Sequence, residues 1–226
     1  VHDARCWRTL IPHLSWPVVA VDMPGRGTSS TPLAGFTLRT GTDAIVESID
    51  AAPFDRAILV GHSLAGLTLP TAAAARREKV EHLVFVAASI PPEGASILRT
   101  ITPAVRLVLA HYLRRAGGEL RLPAWFARAV FCNDMTPEQV ARTLDELVPE
   151  APGVFFEPVS RVDMPEDVPR TWILLLRDRS VPVRAARRQI RNLGGASVLA
   201  LDCGHNAFTT RPRELATLLN GIASAL

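Results

Sequence analysis

A serine, an aspartate and a histidine brought together in that chain order can activate a hydroxyl and attack a carbonyl. Ser63 sits in Gly61-His62-Ser63-Leu64-Ala65, with Gly66 following. It stands where the strand-forming run "RAILVG" (56–61) gives way to the helix-forming run "LAGLTLPTAAAARR" (64–77). A serine on so tight a turn projects its hydroxyl beyond the carboxyl end of the strand, and the next backbone N–H points into the same space. The crowded turn needs small flanking residues, the pattern G-x-S-x-G; Ala65 stands at its last glycine and is still small. For the base there are six histidines: His2, His13, His62, His82, His111 and His205. His205 lies in "LALDCGHNAF", past the last strand-like run and before the last helical pattern. His82 opens a strand and His111 falls mid-helix, while the ring of His62, inside the turn, is expected to point away from the serine. For the acid, Asp178 directly follows the apolar run in "TWILLLRDRSVP". Asp202 is on the wrong side of the turn before His205, Asp163 and Asp167 precede the run, and Asp134 lies in a separate helical stretch. Ser63, Asp178 and His205 are therefore the catalytic candidates.

Such residues need a rigid frame, and the chain supplies an alternating one. "WPVVAVD" (16–22) reads as a strand followed by the turn "MPGRGTSSTP", and "GTDAIVESIDAA" (41–52) as a helix. The serine strand and helix come next, then the strand "EHLVFVAAS" (81–89). Later "RTWILLLRD" (170–178), "RAARRQIRNL" (184–193), "ASVLALD" (196–202) and "PRELATLLNGIASAL" (212–226) read as strand, helix, strand, helix. Near-continuous apolar strands are expected where both sheet faces are covered. The prediction is an α/β fold with a mostly parallel, doubly wound sheet. Residues 95–168 break the alternation with "SILRTITPAVRLVLAHYLRRA", "LPAWFARAVF" and "TPEQVARTLDEL", all helix-like. The expected organisation is a core of 1–94 and 169–226 with a helical cap, 95–168, over the carboxyl edge of the sheet.

Composition narrows the class. The chain has 226 residues, 48% hydrophobic and 21% charged, enough for one large core and with no sign of disorder. No apolar run reaches membrane-spanning length, and with His2, Asp3 and Arg5 at its start a signal peptide is not expected. Three scattered cysteines (Cys6, Cys132, Cys203) fit free thiols in a reducing compartment, so a cytoplasmic location is expected. No CxxC or HxxxH suggests a zinc site. The formal charge of +3 comes almost wholly from dispersed arginines, with Lys79 the only lysine. Nucleic acid and membrane are accordingly not expected as partners.

With the three candidates in order, the chain resembles the α/β-hydrolase superfamily along nearly its whole length. The segments "VHDARCWRTLIPHL", "VVAVDMPGRGTSS", "LVGHSLAGL", "LVFVAASIPPEG", "LLLRDRSVP" and "CGHNAF" are similar to its small esterase and hydroxynitrile-lyase-like branch, which includes plant methyl esterases. The resemblance implies a cofactor-free enzyme with a helical cap over its pocket. Asp22-Met23-Pro24-Gly25-Arg26-Gly27 matches a structural turn of the family and lacks the G-x-G-x-x-G of a phosphate loop. The N-terminus departs from the pattern. The family has a central strand ending in His-Gly and a loop before its Cys-Trp pair, whereas Val1-His2 is followed at once by Asp3-Ala4-Arg5-Cys6-Trp7. The expectation is that Val1-His2 ends a strand beside 57–61, or that another segment fills that place, with loop residues missing between His2 and Asp3. That loop carries one oxyanion donor, so Leu64 is one expected donor and Asp3, within His2–Ala4, the other.

The expected reaction is ester hydrolysis through an acyl-enzyme on Ser63. His62, Trp125, Phe126, Phe131, Phe155 and Phe156 are the candidate substrate contacts, implying a small apolar or aromatic substrate; Met164 is a further apolar residue of the cap. Cyanohydrin cleavage stays in view, although the plant lyases have a lysine where Asn206 stands. So do lactone, thioester or C–C bond hydrolysis, and a non-catalytic ligand-binding role. A homodimer is compatible with the sequence.

Overall fold

In a computed structural model, described over residues 1–100 and 103–226, the alternation becomes four parallel strands wrapped by helices. In chain order these are α1 (Leu38–Ala51), β1 (Ala57–His62), α2 (Leu69–Ala75), β2 (Val80–Val86), α3 (Pro103–Arg114), α4 (Ala124–Phe131), α5 (Pro137–Asp145), β3 (Arg170–Leu175), α6 (Val183–Asn192), β4 (Ser197–Leu201), α7 (Ala207–Thr210) and α8 (Pro212–Ala223). The sheet runs β1-β2-β3-β4, every pair parallel. Among the described residues no helix is long and apolar enough to cross a membrane.

Successive strand residues face opposite ways, and the two faces build separate cores. Leu83, Phe85, Trp172 and Leu174 pack with Ile45 of α1, Leu69 and Ala72 of α2 and Ala186 of α6. Val84, Val86, Ile173 and Leu175 pack with Phe208 of α7, Leu215 and Leu219 of α8, and Leu10. The central strands β2 and β3 are thus buried on both sides, as their unbroken apolar runs require. β4 is different: it is an edge strand, and Val198 is exposed.

Two expectations at the other edge are overturned. Residues 16–22 form no strand, and Val18 and Val19 are exposed. Nor does Val1-His2 lie along β1: the Val1 carbonyl accepts the Val148 N–H instead. Among the described residues, β1 pairs with β2 alone. A strand needs a neighbour about 4.8 Å away, and β1 and residues 17–21 instead both line a cavity. The turn after 22 does form as expected: the Asp22 carboxylate accepts the Ala4 N–H, the Thr28 N–H and the Thr28 hydroxyl, so it serves structure.

Between β2 and β3 the helices α3, α4 and α5 make small cores of their own, Leu98, Ala110, Leu113 and Leu120 in one and Ala127, Phe131, Cys132 and Val140 in another. An antiparallel bridge between Leu120 and Glu150 ties them. Residues 101 and 102 of the helix expected over 96–116 lie outside the described residues; before them is a 3-10 turn, Ile97–Thr100, and after them α3. Phe85 stacks on Trp172 across β2 and β3, ring centroids 6.2 Å apart, with both side chains fully buried. Phe85→Ala should lower the unfolding free energy by about 3–5 kcal/mol, read as a fall in the urea midpoint at unchanged slope.

Candidate active site

β1 delivers the serine. Its last residue, His62, is extended, and Ser63 then turns to φ 54°, a left-handed conformation that costs a non-glycine residue about 1–3 kcal/mol. The Ser63 carbonyl accepts the Ser89 N–H at 2.8 Å, which anchors the turn to the segment after β2. A 3-10 turn, Ser63–Leu67, follows and leads into α2. Leu64 lies in its first turn, where N–H groups have no acceptor within the helix. The small residue that this elbow needs is Gly66. A Cβ there would stand 2.6 Å from the Ser89 carbonyl oxygen, so Ala65 is tolerated only because the tight approach falls one residue later.

The turns after β3 and β4 bring the other two groups. His205 Nε2 is 3.1 Å from Ser63 Oγ, and His205 Nδ1 is 2.8 Å from Asp178 Oδ2. With the proton on Nδ1 donated to Asp178, Nε2 is the free acceptor for the serine hydroxyl. The second Asp178 oxygen accepts the Ser180 and Val181 N–H groups at 2.7 and 2.9 Å. Burial alone would raise the Asp178 carboxyl. The hydrogen bond and charge of His205 and the two N–H donors outweigh it and hold the carboxyl below its ordinary value. Asp178 therefore stays ionised though only 6% exposed.

The remaining candidates divide. His62 lines the cavity, but its Nε2–H donates to the His205 carbonyl at 2.9 Å and its ring lies edge-on to Phe208. Burial first, then the nearby His205, pushes it down to about 3, so it is neutral. Asp3 is buried and lines the cavity, its carboxylate capping a short 3-10 turn and forked by Arg5. The Ala4 N–H is already engaged by Asp22. Trp125, Phe126, Phe131 and Phe155 line the cavity with Ser63, and Phe131 also stacks on the His205 ring at 5.3 Å. Phe156 does not line it; its ring lies beneath the Arg114 guanidinium in the α3 core, and Met164 packs against the main core. The cavity holds about 1640 Å³, beyond the roughly 300–1,000 Å³ usual for a ligand pocket because it continues along the unpaired edge of β1.

The other acids are engaged elsewhere, Asp167 with Arg77 and Asp202 with Arg177. Asp134 is the residue that sequence reasoning undervalued: its Oδ2 accepts the Gly204 N–H at 2.7 Å, beside His205. Burial raises the Cys6 and Cys203 thiols to about 12, so neither is a thiolate nucleophile at neutral pH. Among the described residues no group of three or more His, Cys, Asp or Glu side chains could hold a metal ion.

A profile of the alpha/beta hydrolase family matches residues 1–218. The chain belongs to the alpha/beta hydrolase family. Among curated relatives it is 27% identical over 240 residues to Methylesterase 7 of Arabidopsis thaliana, covering 98% of this chain and 92% of that protein. Salicylic acid-binding protein 2 of Nicotiana tabacum is 27% identical over 244 residues, with 98% and 93% covered. Lipase LipV of Mycobacterium tuberculosis is 27% identical over 239 residues, with 95% and 87% covered. Of solved structures, an extracellular alpha/beta-hydrolase from a Paenibacillus species superposes with a TM-score of 0.87 at 20% identity, over 96% of this chain and 93% of that one. A methylesterase from Arabidopsis gives 0.80 at 22%, over 100% and 95%. The fold of this alpha/beta hydrolase is therefore theirs, built on a parallel sheet.

The buried neutral His62 has a measurable consequence. Its folded-state pKa of about 3 lies below the ordinary 6.5, so the unfolded chain takes up that proton first. Its contribution to stability is complete above pH 6.5 and is lost as pH falls toward 3. Between those limits wild type should lose stability on acidification more steeply than His62→Gln, whose amide still donates to the His205 carbonyl. Urea midpoints measured across that range check it; parallel curves would refute it.

Proposed function

We propose that this alpha/beta hydrolase is a serine hydrolase that cleaves the carboxylic ester of a small apolar or aromatic substrate through an acyl-enzyme. One observation carries the reading: an unbroken hydrogen-bonded path from Ser63 Oγ through the His205 ring to an ionised Asp178. Ser63 attacks the ester carbonyl while His205 Nε2 takes its proton, and Asp178 holds the imidazole and offsets the charge it gains. The Leu64 N–H receives the developing oxyanion. We assign the second donor to the Asp3 N–H, because Asp3 lines the cavity and the neighbouring Ala4 N–H is already bonded to Asp22. His205 then returns its proton to the leaving alcohol, and a water activated by the same ring releases the acid.

The choice of ester chemistry is supported by the printed names of the relatives, methylesterase and lipase. The choice of an apolar or aromatic substrate is supported by Trp125, Phe126, Phe131 and Phe155, which line the cavity that Ser63 also lines. Residues 95–168 are read as the cap over this pocket, with α3 to α5 as its helices. Asn206 stands next to His205 and is fully buried, so no ammonium is available there for the cyanohydrin chemistry of the lyases.

Purified protein should hydrolyse p-nitrophenyl acetate and react with a fluorophosphonate probe. Ser63→Ala should abolish both while leaving the circular dichroism spectrum unchanged, and Asp178→Asn should lower kcat by about 10⁴-fold, since the neutral amide favours the wrong imidazole tautomer. Hydrolysis that persists in Ser63→Ala would sink the nucleophile assignment.

A further inference from the structure

We propose that Asn133 and Asp134 are positioning residues that grip, from outside the sheet, the two turns carrying Asp178 and His205; the proposal rests on the hydrolase reading above. The side-chain amide of Asn133 donates to the Arg177 carbonyl at 3.0 Å, and Asp134 Oδ2 accepts the Gly204 N–H at 2.7 Å. Arg177 and Gly204 are the residues immediately before Asp178 and His205. One dipeptide thus holds the backbone next to both partners of the imidazole bond.

The site is shaped for this contact. A Cβ on residue 204 would lie 2.5 Å from Asp134 Oδ1 and 3.0 Å from Asn133 Oδ1, so only glycine lets the carboxylate reach the N–H. The turns are also joined directly, with the Arg177 N–H donating to the Cys203 carbonyl at 2.9 Å and its guanidinium to the Asp202 carbonyl at 2.8 Å. Those bonds continue the β3–β4 pairing and fix the turns relative to each other. The joined turns meet the serine turn at the His205 carbonyl, which accepts the Nε2–H of His62, the last residue of β1, at 2.9 Å. The dipeptide supplies a third point, because it follows α4, whose Phe131 stacks on the His205 ring and borders the same cavity as Ser63. Neither side chain is given a role in touching substrate; both act through the groups they hold.

The experiment uses the full chain and p-nitrophenyl acetate. Asp134→Ala should lower kcat by about 10- to 100-fold, as small misplacements of a catalytic group do, with KM within about twofold of wild type. Asp134→Asn, whose amide oxygen still accepts the Gly204 N–H, should recover most of the loss. Gly204→Ala should reproduce the Asp134→Ala defect, and Asn133→Ala should give a smaller loss and serves if the others fold poorly. Wild-type kcat in Asp134→Ala, or equal loss in Asp134→Ala and Asp134→Asn, would overturn the proposal. Should wild type and Ser63→Ala prove equally inactive, the hydrolase reading fails, and the grip is then judged by NMR titration of the His205 ring. A titration displaced in Asp134→Ala beyond that in Asp134→Asn supports it. Coincident curves, or a displacement common to both, report at most the lost charge and overturn it.

Discussion

A hydrogen bond tolerates errors of only a few tenths of an ångström, and the three groups joined through the His205 ring arrive from separate strand ends. Ser63 and His205 are 142 residues apart in the chain, and His205 and Asp178 are 27 apart. Their meeting depends on β1, β2, β3 and β4 being parallel, so that all three turns leave the same edge of the sheet. The double-sided burial of β2 and β3 is what makes that edge rigid. Much of what surrounds the three groups, including the His62 bond to the His205 carbonyl and the Ser89 bond to Ser63, holds their backbone in place.

The meeting of Ser63, His205 and Asp178 was legible in the sequence because each has a local signal: small residues around Ser63, an acid directly after an apolar run, a histidine between the last strand and helix. Chain order then selected Asp178 over its rivals. What could not be read is contact between residues with no local signal. Asp134 meets Gly204 across 70 residues, and nothing near either residue announces the other. In the same way, Phe156 follows Phe155 in a paired aromatic run, yet one ring borders the cavity and the other packs beneath Arg114. Adjacent positions in a short 3-10 turn face different ways, and a count of aromatics cannot tell them apart.

The strand expected at 16–22 failed for a related reason. Val18, Val19 and Val21 have the preference of strand residues, but β-propensity describes how a side chain fits beside neighbours. Without a paired neighbour the run forms no strand and exposes Val18 and Val19, and β1 lines the cavity. The central strands, whose partners are present on both sides, formed where their apolar runs placed them.

The serine turn shows how a fold can keep a strained residue while relaxing the pattern that marks it. The left-handed Ser63 is held by the bond from the Ser89 N–H to its carbonyl. The next carbonyl group along that segment's backbone, that of Ser89 itself, comes within 2.6 Å of where a Gly66 Cβ would stand. The segment after β2 therefore presses on the elbow at two points, one hydrogen bond and one steric approach. At position 61 a Cβ would meet chiefly the flexible end of Leu69, at 2.8 Å, a contact that a side-chain shift can relieve. At position 66 it would meet backbone, which cannot move without releasing Ser63. The glycine most tightly required by this elbow thus lies one residue beyond the signature, and the small Ala65 is accommodated because the backbone contact falls on its neighbour.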